Sequence, residues 1–246
     1  MSSESAGSDT QAGHPGEPHA QEGLGNRLNW LRAGVLGAND GIVSVAGIVM
    51  GVAGATTERG PILIAGVAGL VAGALSMAAG EYVSVSTQRD AELSLLDQER
   101  QELEEMPEEE YDELAGLLEG KGLSPELARE VATELTEHDA FSAHAEIELG
   151  IDPDDITNPW QAALASMLAF TVGALLPTLT ILLPVHHRLW VTVVAVVAAL
   201  ACTGWISARL GYADPRRAVL RNVAGGFFAM LVTFLVGSAL GGAGVV

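Results

Sequence analysis

The sequence predicts an all-α polytopic membrane protein: five transmembrane helices carrying a three-helix acidic domain. Three observations predict it. Five stretches are long and apolar enough to cross about 30 Å of hydrocarbon, which needs roughly 20 residues at 1.5 Å rise each. The 246 residues are 49% apolar yet carry a formal net charge of −19. That charge is segregated: from Asp90 to Asp155 there are 23 acidic residues and three basic ones, Arg100, Lys121 and Arg129.

Residues 1–27 are rich in Ser, Gly, Glu and His and lack the apolar core of a signal peptide, so they read as a disordered tail. His14 and His19 within it have no spaced partners and are expected to be solvated. The first two transmembrane helices fill residues 28–89. Helix one is Ala33–Ala55, interrupted by Asn39-Asp40; helix two is Pro61–Gly80, continuing past Glu81 towards Arg89. Residues 90–157 form the acidic domain. Its first helix, Asp90–Met106, continues from helix two and stops at Pro107. Its second, Glu108–Glu119, ends at Gly120 and Gly122. Ser124-Pro125-Glu126 is a helix start signal, with Pro at the first helical position, and the third helix runs to Leu149 before Gly150. Residues 158–246 return to the membrane as helices three (Pro159–Val185), four (Leu189–Ala208) and five (about Ala218–Val246), with Pro177 and Pro184 bending or ending helix three.

Loop charges set the orientation. On the side of the tail lie Arg27, Arg32, Arg89, Arg209, Arg216, Arg217 and Arg221; on the other lie only Arg59 and Arg188. Seven against two puts the N-terminus and the acidic domain in the cytoplasm and the C-terminus outside. Glycines recur at close-packing spacing, among them Gly37 and Gly41, Gly66, Gly69 and Gly73, and Gly237 and Gly241. Without Cβ atoms helices approach closely in lipid, so helices one and two are expected to pack tightly on each other or on a second subunit.

Composition also excludes. The acidic insert repels nucleic acid and attracts cations. The single Cys202 leaves no intrachain disulfide and no cysteine-based zinc site. No EF-hand loop, phosphate loop or zinc-protease motif occurs, so neither an enzyme nor a prosthetic group is expected.

Two constellations carry chemistry. Within the membrane, Asp40 lies eight residues past Arg32 and Glu81 eight before Arg89, each roughly 12 Å deep. Intramembrane acids usually mark a pathway, although a packing or capping role for Asp40 and an interfacial place for Glu81 are the plain alternatives. Two carboxylates at one level could share a cation or exchange protons. Met77, four residues before Glu81 on the same helix face, adds a thioether that suits a borderline transition metal; Ser44 and Ser76 could add polar lining. In the acidic domain, Glu99 and Glu102, and Glu110 and Glu113, are pairs spaced three apart, and His144 and Glu148 are four apart. A turn at Pro107 would bring these faces together. Carboxylates with one imidazole suit iron, manganese or zinc, while a solvated acidic bundle is the plain alternative.

The stretches Asn39-Asp40-Gly41-Ile42-Val43-Ser44 to Gly51-Val52, Ser76-Met77-Ala78-Ala79-Gly80-Glu81-Tyr82-Val83-Ser84-Val85 to Gln88-Arg89-Asp90, Glu148-Leu149-Gly150, and Asn158-Pro159-Trp160-Gln161-Ala162-Ala163 resemble the vacuolar iron transporter family. The match covers nearly everything after residue 28 and suggests a bacterial-type, multi-pass member in the cell's inner membrane. The resemblance implies a homodimer with a pathway along its interface, lined by helix one. It implies export of iron(II), and often manganese(II), from the cytosol against inward protons. In that picture Asp40 and Met77 are the metal-selecting pair, Glu81 sits near the cytoplasmic mouth, and Glu99, Glu102, Glu110, Glu113 and Glu148 are metal ligands. The family's plant members carry two adjacent methionines where this chain has His144-Ala145, so His144 would stand in for a sulfur donor. A membrane metal-binding or sensing protein without transport is the main rival. A di-iron oxidase is a third reading, weakened by the lack of paired Glu-x-x-His motifs.

Overall fold

The computed structural model describes the backbone of residues 24–244 and the side chains of residues 30–244; the expected tail up to residue 23, with His14 and His19, and the last two residues lie outside it. Among the described residues seven α-helices follow one another: α1 Leu24–Ala55, α2 Arg59–Glu105, α3 Pro107–Gly120, α4 Pro125–His144, α5 Pro159–Thr180, α6 Val185–Leu210 and α7 Pro215–Gly242. A π-helical turn, Ala145–Leu149, extends α4, and no strand occurs among the described residues. Five of the helices, α1, α2, α5, α6 and α7, are long and apolar enough to span a membrane. The last four residues assigned to the tail, Leu24–Arg27, already belong to α1. The expected third membrane helix ends earlier than Val185: Pro177 is accommodated inside α5, which stops at Thr180, while Pro184 sits at the N-cap of α6.

Among the spanning helices α1 is central, packed by α2, α5, α6 and α7. One of its faces joins α2 and α5 through Val45, Val49, Ile62, Ala74, Phe170 and Ile181. Another joins α6 and α7 through Ile42, Ala46, Met50, Val196, Leu200 and Met230. The glycines act differently from the sequence expectation. Those of α1 meet α5 and α7 rather than α2: Gly41 lies on the backbone of Phe170, and Gly51 touches Gly237. Those of α2 receive side chains instead, Ile48 at Gly69 and Phe170 at Gly73. In lipid, such contacts replace the hydrophobic drive that water would supply.

Exposed aromatic side chains ring the end of the bundle where α1 begins and α6 finishes: Trp30, Tyr82, Trp160, Trp205 and Tyr212. Tyr82 and Trp160 touch, with ring centroids 4.7 Å apart. Amphipathic rings of this kind settle at the headgroup level. At the other end, Arg59 donates to the carbonyl of Leu183 at 3.3 Å and the buried Arg188 donates to that of Thr57, so each loop is tied to the other.

The α2 helix runs on for 47 residues, well beyond the membrane-spanning stretch, and its distal part supports a hairpin of α3 and α4. Leu114, Ala115, Leu118, Ala128, Ala132 and Ala143 form the small core of that unit. The predicted single third helix of the insert is broken: Asp139 has φ −161° and ψ 93°, outside helical values. Its carboxylate accepts from the backbone N–H and the hydroxyl of Ser142, which starts a fresh helical segment towards Leu149. Gly150, at φ +66°, closes that segment as the sequence predicts, because the left-handed conformation carries little penalty for glycine.

Candidate metal centre

The insert gathers Glu99 from α2, Glu110 from the first turn of α3, His144 from the end of α4 and Glu148 from the π-helical turn. One ligand atom from each lies within 4.8 Å of all the others. Each placement has a local cause. Pro107 at the first turn of α3 reverses the chain, so the start of α3 faces the end of α2. The Asp139 cap re-aims the last part of the α4 segment and delivers His144 and Glu148 one turn apart. Leu96, Leu114, Ala143 and Ala145 are buried and dry the surroundings.

His144 Nδ1 lies 3.0 Å from Glu99 Oε1, 3.4 Å from Glu148 Oε2 and 3.6 Å from Glu110 Oε2. A ring nitrogen carries one proton at most, so at most one of these carboxylates can accept from it. Contact is therefore not satisfaction: Glu99 Oε1 is buried without a hydrogen bond despite the 3.0 Å approach. Burial pushes the Glu99 carboxyl up to about 7, with the negative charge of Glu148 next in effect and the neighbouring imidazole partly opposing it. Glu110 is raised as well, first by burial and then by Glu113. Three crowded carboxylates around one imidazole call for protons or a cation. A divalent ion with oxygen and nitrogen preference, such as iron(II), manganese(II) or zinc(II), would satisfy all four donors.

Glu102 and Glu113 fall short of this group. Glu113 is exposed and Glu102 half-buried, its carboxylate accepting from Gln98 at 2.9 Å. They act through charge: Glu102 raises both Glu99 and Glu110, and Glu113 raises Glu110. Spacing three apart put each pair on one helix face, but only the first member of each points into the centre.

Within the membrane the picture of two level carboxylates is corrected. Glu81 Oε1 meets Arg32 Nη2 at 3.6 Å, so Glu81 stands near the level of Arg32. Asp40 lies eight residues further along α1, about 12 Å deeper. The contacts of Tyr82 with Trp160 at one level, and of both Gly73 and Gly41 with Phe170 at the other, give the same antiparallel register. The reason is that each depth is counted from its own arginine, and Arg32 and Arg89 do not share a level: Arg89 lies two turns beyond Glu81 on α2 and donates to Thr157 O, in the linker before α5, at 3.0 Å. Glu81, Met77 and Asp40 are thus a staggered ladder, with Met77 one turn inward from Glu81. Ser44 Oγ donates to Asp40 Oδ1 at 2.6 Å, the next rung on α1. Ser76 is exposed.

Sequence reading missed three participants. Arg32 was a topology marker and proves to be the partner of Glu81. Glu92, on the α2 extension, accepts from the N–H of Thr157 at 3.3 Å and from its hydroxyl at 3.0 Å, fastening the linker before α5. Asn39 Oδ1 is buried with no partner. Only for Arg32 was there a signal, its four-residue spacing with Leu36, Asp40 and Ser44.

Comparisons with known proteins agree with the motif resemblance. The family model described as the VIT family matches residues 31–238. A protein of Acanthamoeba castellanii named vacuolar iron transporter is 42% identical, covering 90% of this chain and 82% of that protein. Vacuolar iron transporter homolog 5 of rice is 38% identical, over 86% of this chain and 80% of its own length. Vacuolar iron transporter homolog 2.1 of Arabidopsis thaliana is 36% identical, over 88% and 84%. With five spanning helices, a buried donor cluster and a match across most of its length, the chain belongs to the VIT family.

Proposed function

We propose that this protein exports iron(II), with manganese(II) as a second cargo, from the cytosol across the cell membrane in exchange for protons. The observation that carries the reading is the continuity of α2. One unbroken helix holds Glu99 in the buried donor cluster and, 22 residues earlier, Met77 on the intramembrane ladder. That separation is about 33 Å. The donors of the insert collect the ion, Glu81 receives it at the cytoplasmic mouth, and Met77 and Asp40 strip part of its water at mid-depth. Protons arriving from outside at Asp40 or Glu81 displace it and reset the site. The arginine asymmetry supports the orientation, with the insert in the cytoplasm and the C-terminus outside. The partly exposed stripe Arg32, Leu36, Asp40, Ser44 and Ile48 on α1 supports a homodimer in which a second copy closes the pathway.

The test is iron(II) flux into proteoliposomes with a pH-sensitive dye inside. The wild-type protein moves iron(II) with opposite proton flow, and Asp40→Ala reduces flux at least tenfold while leaving metal binding at the insert unchanged. Undiminished flux in Asp40→Ala would remove Asp40 from the pathway. Metal binding with no flux in the wild type would favour the sensing reading.

A further inference from the structure

A groove of about 960 Å³ opens between α1, α5 and α6 at the aromatic end of the bundle. Trp30, Gly34 and Ala38 form its α1 side; Leu164, Leu168 and Val172 form the α5 side. Along α5 it extends from Gln161 to Val172, about 16 Å, which is close to one leaflet's half of a roughly 30 Å hydrocarbon core. Its floor is open at Gly34, where an added Cβ would meet nothing within 4 Å.

A second cavity of about 370 Å³ adjoins it, sharing Leu31 and Val35 and lying under the last turns of α6. This one is polar, with Arg32, Asn39, Ser207 and Asn222 in its wall. Asn39 contributes the buried, unpartnered Oδ1. The last turn of α6 and the first two turns of α7 carry Arg209, Arg216, Arg217 and Arg221 against the single acid Asp214 between them. Arg217 pairs with Asp214 at 3.5 Å, whereas Arg216 and Arg221 make no ion pair among the described residues.

We infer that the two cavities form one binding site for an anionic phospholipid with a hydroxylated headgroup, such as phosphatidylglycerol. An acyl chain fills the apolar groove over one leaflet's depth. The phosphate lies at the polar cavity, where surplus arginine charge attracts it, and the headgroup packs against Ser207 and Asn222. Basic pockets between spanning helices favour anionic lipid in this way. None of the apolar groove's residues belongs to the metal ladder, and the polar cavity meets it only at Arg32, the partner of Glu81.

The full chain in detergent is tested with three additions: phosphatidylglycerol, phosphatidylcholine and soluble glycerol phosphate. Thermal melting and native mass spectrometry read the result. Phosphatidylglycerol is expected to raise the melting temperature by several degrees and to remain bound at one molecule per chain; the other two do neither. Gly34→Leu, which places a branched side chain in the groove, and Asn222→Leu each abolish the shift, while Gly34→Ala, whose added Cβ meets nothing within 4 Å, retains it. Equal effects of the two lipids, or an equal effect of glycerol phosphate, overturn the inference. So does an unchanged phosphatidylglycerol shift in Gly34→Leu, or a Gly34→Leu protein that falls apart from a larger oligomer, which would assign the groove to a second copy.

Discussion

Glu99 Oε1 stands 3.0 Å from His144 Nδ1, with the two side chains 2% and 1% exposed, yet the geometry gives that oxygen no hydrogen bond. The ring nitrogen is crowded by three carboxylates and can satisfy one. A centre built this way is complementary to a cation rather than to itself, because unpaired buried charge is costly.

The imidazole therefore contributes a donor that glutamate spacing alone does not supply. His144→Ala is expected to weaken divalent-ion binding by the full-length protein at least tenfold, measured by calorimetry with manganese(II). His144→Met should keep measurable binding but shift preference towards softer ions, read as the ratio of zinc(II) to manganese(II) affinity. Unaltered affinity in His144→Ala would remove the ring from the ligand set.

The raised pKa of Glu99 has a definite sign. The unfolded carboxyl titrates near 4.5 and the folded one near 7, so between these values the folded chain holds more protons. Stability of the metal-free protein then falls as pH rises through that window, by at most roughly 3 kcal/mol from this group. Melting in chelator at pH 5 and pH 8 should show a steeper decline for wild type than for Glu99→Gln. Metal affinity runs the opposite way, rising towards pH 7 as protons leave the donors.

Close helix packing gives a third expectation. A Cβ at Gly237 would collide with the backbone carbonyl of Gly51, where no side-chain rotation offers relief. Gly237→Ala should cost on the order of 3 kcal/mol, at the upper end of overpacking effects. Gly60→Ala, with open space at the added carbon, should be close to neutral. Thermal unfolding in detergent compares them.

The linker clamp predicts a split between capture and transport. Thr157→Val removes the hydroxyl that donates to Glu92 and should lower stability by about 1 kcal/mol. Ion binding at the insert should persist, while iron(II) flux falls several-fold if the clamp holds the insert over the mouth. Equal flux in Thr157→Val would show that this contact does not couple the two parts.

Sequence by itself determined the spanning helices, the acidic insert and most helix ends. Those features follow from local chemistry: apolar runs of sufficient length, proline at Pro107 and Pro125, and the left-handed closure at Gly150. It also supplied the residue types of the metal centre. Tertiary structure alone decided which of them meet. Glu99 and Glu110 converge and Glu102 and Glu113 do not, because helix spacing defines a face but not the rotation of that face towards its neighbour. It decided the ladder too, since the depth of Glu81 relative to Asp40 depends on the register between α1 and α2, which no single helix records. The break at Asp139 belongs to the same class: a carboxylate capping Ser142 overrides a helical pattern that continues on both sides, and so brings His144 to Glu99.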